Sequence, residues 1–121
     1  MGSNEHQCPE AADAFVCGIH LFNQGEFWHA HEQWEICWRA AQGMDADFYQ
    51  ALIQSAAALV KWRQGNLRGL RLNWAKAQRR LNRLPSFYRG IDLARLQTAM
   101  TALINDPEQA SAPVLELPSA Q

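Results

Sequence analysis

Long apolar runs are missing from this chain. The most extended stretch, Phe48 to Val60, is broken by Gln50, Gln54 and Ser55. It falls short of the roughly 20 apolar residues that a bilayer-spanning helix requires, so no membrane partner is expected. No basic-then-apolar opening with a small-residue cleavage site is visible, and no secretory leader is expected. Strand-like alternation is absent beyond Val114–Leu117. Cysteine is scarce: Cys8, Cys17 and Cys37 are odd in number and lack C-x-x-C spacing. Neither a disulfide framework nor a zinc knuckle is expected, and a reducing, cytoplasmic location fits. Cys17 and His20 lie one helical turn apart, a spacing that a metal pair can use, but a buried thiol beside an imidazole is the expected arrangement.

Acids are nearly absent from the middle of the chain. Residues 61–95 hold ten bases and one acid, Asp92, for a net +9. Residues 1–60 hold eight acids and one base, Arg39, for a net −7, and the remainder adds −3. The overall charge of −1 hides this division. At 121 residues, 48% hydrophobic and 19% charged, the composition is that of a single globular domain and excludes global disorder.

The hydrophobic period is helical throughout. Ala12, Phe15, Val16, Ile19 and Phe22 share one face, up to the break at Asn23-Gln24-Gly25. Phe27, His31, Trp34, Trp38 and Ala41 mark a second helix ending near Gly43. Residues 47–62 are apolar almost all round, the mark of a central buried helix. Leu67, Leu70, Trp74, Ala77, Leu81 and Leu84 form the seam of a fourth helix, stopped by Pro85. Leu93, Leu96, Met100 and Leu103 mark a fifth, capped by Asp92. The expectation is an all-α bundle of about five helices over residues 10–105, with a loosely held segment at 1–9 and an extended tail at 106–121.

A weak internal repeat of 40 residues runs through the first four helices. Ile19, Phe22, Gly25, Phe27, Ala30 and Trp34 fall opposite Leu59, Trp62, Gly65, Leu67, Leu70 and Trp74, so each half reads as a helical hairpin. The repeat fails where His31, Glu32 and Glu35 fall opposite Arg71, Leu72 and Ala75. His31 and Glu35 lie about 40° apart on the helix wheel, inside an aromatic stripe. A carboxylate there needs a cation, a metal or a hydrogen-bond donor. Gln50, Gln54 and Lys61 form a polar stripe on the third helix and are the expected partners. The expected site is a pocket between the second and third helices, walled by Phe27, Trp34 and Trp38.

The run Leu21-Phe22-Asn23-Gln24-Gly25-Glu26-Phe27, followed by Ala30-His31-Glu32, Glu35 and Trp38, resembles the bacterial and archaeal domain of unknown function family 309. Its H-x-x-x-E-x-x-[WY] motif falls on His31, Glu35 and Trp38. A second block, Phe48-Tyr49-Gln50 through Leu52-Ile53-Gln54, Ala56-Ala57 and Gly65-Asn66 to Gly69, extends the likeness over about residues 15–90. The resemblance implies a small helical bundle and a motif suggested to bind metal. Lys61 stands where the resemblance implies a histidine in many members.

These residues admit two functional readings and one structural reading. In the first, His31 and Glu35, with Glu32 nearby, hold a divalent metal or a small polar ligand, since positions i and i+4 can share one ion. A zinc peptidase needs a third ligand that the sequence does not supply. A di-iron bundle needs two inward E-x-x-H motifs, and Glu26 and His29 face the wrong way. In the second, the bases of the fourth helix, Arg68, Arg71, Arg79 and Arg83 among them, bind an anion, although no nucleic-acid-reading motif accompanies them and nucleic acid is not the expected partner. The structural reading is a buried His–Glu–Gln network that fixes helix register. Five tryptophans, with Trp28 off the seam, also admit a homodimer. Whether the chain catalyses a reaction is left open by these residues.

Overall fold

The computed structural model describes residue 8 and residues 13–117. Five helices carry the fold: α1 (Ala14–Asn23), α2 (Phe27–Arg39), α3 (Gly43–Arg63), α4 (Leu67–Leu81) and α5 (Leu93–Asn105). A two-stranded hairpin, β1 (Phe87–Tyr88) and β2 (Ile91–Asp92), precedes α5. The architecture is therefore all-α with a minimal sheet, as the helical periodicity predicts. The segment 1–9, apart from Cys8, and the start of the first helix at Ala12 lie outside the described residues, as do residues 118–121.

Consecutive helices pack on one another, α1 on α2, α2 on α3 and α3 on α4, so α3 is the central element. Its near-uniform apolarity is thus explained: Phe48, Ala51, Leu52, Ala56, Ala58 and Leu59 are all buried. Among the described residues the one buried polar side chain, Ser55, donates its hydroxyl to the Ala51 carbonyl one turn back at 2.8 Å.

The repeat is realised as two matching helix ends. Gly25 follows α1 at φ +82° and Gly65 follows α3 at φ +75°. At each, the glycine N–H donates to the carbonyl three residues back, Phe22 or Trp62, at 3.0 Å. The next residue donates five back, Glu26 to Leu21 at 2.8 Å and Asn66 to Lys61 at 2.9 Å. This paired pattern closes a helix and turns the chain into the next one. Asn66 then caps α4 by accepting from the Gly69 N–H, and Asp13 and Asp92 cap α1 and α5 in the same way.

Trp34 lies against α1 with no exposed surface. Its indole Nε1 donates to the Phe15 carbonyl at 3.2 Å. Glycine at position 18 makes that approach, because a Cβ there would stand 2.2 Å from Nε1.

Three details differ from the sequence reading. Helix α3 starts at Gly43, not 47, because the polar first turn Asp45-Ala46-Asp47 is helical although it does not face the core. The hairpin Phe87–Asp92 escapes a periodicity search because two-residue strands show no alternation; its turn, Arg89 and Gly90 at φ +50° and +84°, has the two positive φ values of a type I′ connection. Cys8 and Cys17 are joined as a disulfide, Cα to Cα 5.0 Å, so the odd count resolves into one bridge and one free thiol, Cys37.

Beyond α5 the chain runs back over the bundle. The Trp62 indole donates to the Pro107 carbonyl at 2.9 Å. Asn23 clamps Leu115 from both sides, donating to its carbonyl at 2.6 Å and accepting from its N–H at 2.8 Å. Leu115 is buried.

Candidate functional site

The H-x-x-x-E-x-x-W motif lies on the solvent side of α2. One helical turn brings His31 Nε2 to 3.3 Å from Glu35 Oε2, and Arg39 Nη2 reaches the other carboxylate oxygen at 3.8 Å. The His31 side chain is 17% exposed and its Nδ1 is buried with no hydrogen-bond partner. Trp28, one turn earlier, lays its indole on the imidazole at 4.9 Å between ring centres and 26° between planes. Glu32 turns away to the His29 Nδ1 at 3.3 Å, on the side of α2 facing water. Among the described residues, no group of three or more His, Cys, Asp and Glu is placed to hold a metal ion.

A cleft does lie between α2 and α3, with walls other than the expected ones. Phe27 and Trp34 belong to the core, each packed on the Phe22 ring. Trp38 is exposed. The cleft is bounded instead by Trp28, Ala57, Val60, Lys61 and Gln64 and measures about 300 Å³. Of the expected supporting groups, Lys61 is in this cleft. Gln54, from the same stripe of α3, lines a different one with Lys76, Arg79 and Arg80 of α4 and Arg83 of the turn after it. Gln50 is half-buried. Arg68 and Arg71 are exposed and lie apart from both clefts.

A third cavity, about 390 Å³, had no counterpart in the sequence reading. Asp13, Phe15, Cys37, Asp45, Tyr49 and Arg89 line it, from α1 and its N-cap, α2, α3 and the hairpin turn. The Arg89 guanidinium lies over the Phe15 and Tyr49 rings at 5.6 and 5.8 Å and reaches Asp45 at 3.7 Å. Tyr88 donates its hydroxyl to the same carboxylate, which pushes its pKa up. Burial, then the Asp13 carboxylate, pushes the Cys37 thiol above its ordinary range, and burial does the same to Tyr49. Both groups stay protonated at neutral pH, so this thiol is not poised as a nucleophile.

The class that this geometry defines is a small all-α bundle of two stacked helical hairpins with a polar motif on its second helix. Residues 15–72 match the family model described as Domain of unknown function (DUF309), the family that the sequence resembles. The match ends within α4, short of the stretch to residue 90 over which the resemblance was read. No curated protein matches the chain. No described helix is long and apolar enough to cross a membrane.

Proposed function

We propose that the chain is a small-ligand-binding module whose site is the α2–α3 cleft beside His31 and Glu35. One observation carries this reading: Trp28, 55% exposed, is held in a fixed stack on His31 while lining the same cleft as Lys61. A large exposed indole with a fixed orientation is a preformed platform for a planar group, and an ammonium beside it suits an acidic one. The ligand class is a planar aromatic carboxylate or a molecule of similar charge and shape.

The metal reading is weaker, for a reason in the imidazole itself. With the proton on Nε2, His31 donates toward Glu35 and leaves only a lone pair at the buried Nδ1. A metal on Nε2 would move the proton to Nδ1, where no acceptor waits. Burying that N–H unpaired costs about 1–3 kcal/mol, and metal-bound histidines ordinarily have a partner on the second nitrogen. The separation of 3.3 Å between Nε2 and Oε2 is nevertheless that of two donors on one ion.

Calorimetric titration of the whole chain with naphthoate, and separately with zinc, tests both. Saturable naphthoate binding that falls about tenfold in Trp28→Ala and in Lys61→Met supports the cleft, a drop of about 1.4 kcal/mol. Naphthoate binding indifferent to both substitutions overturns it. Stoichiometric zinc binding abolished by His31→Ala and by Glu35→Ala returns the site to metal.

A further inference from the structure

Lys76, Arg79 and Arg80 lie within about one turn of one another near the end of α4, and Arg83 follows two residues beyond its last residue, Leu81. They converge on a cleft of about 270 Å³ whose remaining lining residue is Gln54 of α3. The local charge is poorly answered. Asp47 is the acid at hand, and one of its oxygens takes both Arg80, at 2.9 Å, and Arg83, at 3.5 Å. Lys76 and Arg79 have no acidic partner among the described residues. Gln54 adds a second anomaly, since its Oε1 is buried without a hydrogen bond. A half-turn of the carboxamide about its last bond would offer an N–H₂ donor from the same place.

We propose that this α3–α4 cleft binds a small anion carrying at least two phosphoryl groups. Lys76 and Arg79 supply the unanswered charge. Arg80 and Arg83, already oriented by Asp47, supply planar forks that match phosphate oxygens. Gln54 gains the partner it lacks. Three features favour a compact anion over a nucleic acid. The free charges meet at one concavity, the remaining bases of α4, Arg68 and Arg71, lie outside it, and no aromatic ring lines it on which a base would stack.

The probe is inorganic pyrophosphate, titrated calorimetrically into the whole chain at low and at moderate salt. The expected result is saturable one-to-one binding that weakens with salt. The double variant Lys76→Gln/Arg79→Gln is expected to weaken it by roughly a hundredfold, the loss of two charge-assisted contacts. Arg68→Gln/Arg71→Gln, with the same loss of charge, should leave it within about twofold. Gln54→Leu should weaken binding without lowering the thermal midpoint of the unliganded protein, since removing a buried unpaired group does not cost stability. Equal losses from the two double variants, or no saturation, would overturn the proposal. So would tighter binding of a mixed-sequence single-stranded RNA through Lys76 and Arg79. Pyrophosphate binding unaffected by Trp28→Ala separates this site from the α2–α3 cleft.

Discussion

Cys37 faces a cavity shared with Tyr49, Asp13 and Arg89, and its pKa stands above the ordinary thiol value of 9.0 because burial and then the Asp13 carboxylate disfavour the thiolate. A folded state that holds this proton more tightly than the unfolded chain is stabilised fully below pH 9.0 and loses that contribution as pH rises through the folded value. Tyr49 and Tyr88, raised from 10.0, add losses of the same sign at higher pH. Thermal midpoints are therefore expected to fall from about pH 9 upward, and Cys37→Ala to flatten the first part of the fall. Alkylation of Cys37 by iodoacetamide should be slow at neutral pH and rise with an inflection above 9.0. An inflection at or below that value would contradict it. At this scale the sequence was half legible. His31 and Glu35 are one turn apart on any helix, so their pairing needed only the period. Trp28 and Lys61 meet through tertiary packing of α2 on α3, and Asp13, Cys37, Asp45, Tyr49 and Arg89 come together only when separate elements do. Spacing along one element carries no trace of such groupings.

The helices were legible because each buries one periodic face, and their ends because Gly, Asn and Asp stand where backbone groups need them. Gly25 and Gly65 do the same work in different surroundings, which makes them a matched test. A Cβ at Gly65 meets nothing within 4 Å, so Gly65→Ala pays only for the left-handed backbone, an expected loss of roughly 1–2 kcal/mol. At Gly25 a Cβ would also stand 2.8 Å from Arg63 Nη2, displacing the guanidinium that lies over the Phe27 ring at 5.1 Å. Gly25→Ala is therefore expected to be the more damaging of the two, and chemical denaturation of both variants measures the difference. Equal losses would mean that the Arg63–Phe27 contact contributes little. The hairpin before α5 was not legible, because its two-residue strands show no alternation; the Ser86 carbonyl ties it to α5 by accepting from Leu93 and Ala94 at 2.8 and 3.2 Å.

Over the whole molecule, the split between an acidic first half and a basic middle is partly internal pairing. Asp45 and Asp47 at the start of α3 take Arg89, Arg80 and Arg83. Glu35 keeps to its own helix with His31 and Arg39. Pairing between the acidic and basic parts thus involves α3 and not α2, and the surplus left at Lys76 and Arg79 is local. The terminal segment is likewise more than a loose tail as far as Leu117, since Arg95 meets Glu116 at 2.9 Å and Leu115 is clamped by Asn23. Asn23→Ala removes both bonds to the Leu115 backbone and is expected to cost about 2 kcal/mol. A thermal midpoint unchanged in that variant would show that Leu115 is held by its side chain alone.

The Asn23–Leu115 clamp also sets an order on synthesis. Helices α1 to α4 each pack on a neighbour in sequence and can pair as they leave the ribosome, a pattern of local contacts that favours fast assembly. Asn23 is made early, yet its partner arrives 92 residues later. Until then the amide faces water and the groove that Leu115 will fill stays open. The nascent bundle is therefore folded before it is latched, and a chain stalled short of residue 115 would expose that groove to chaperones and proteases for as long as the stall lasts.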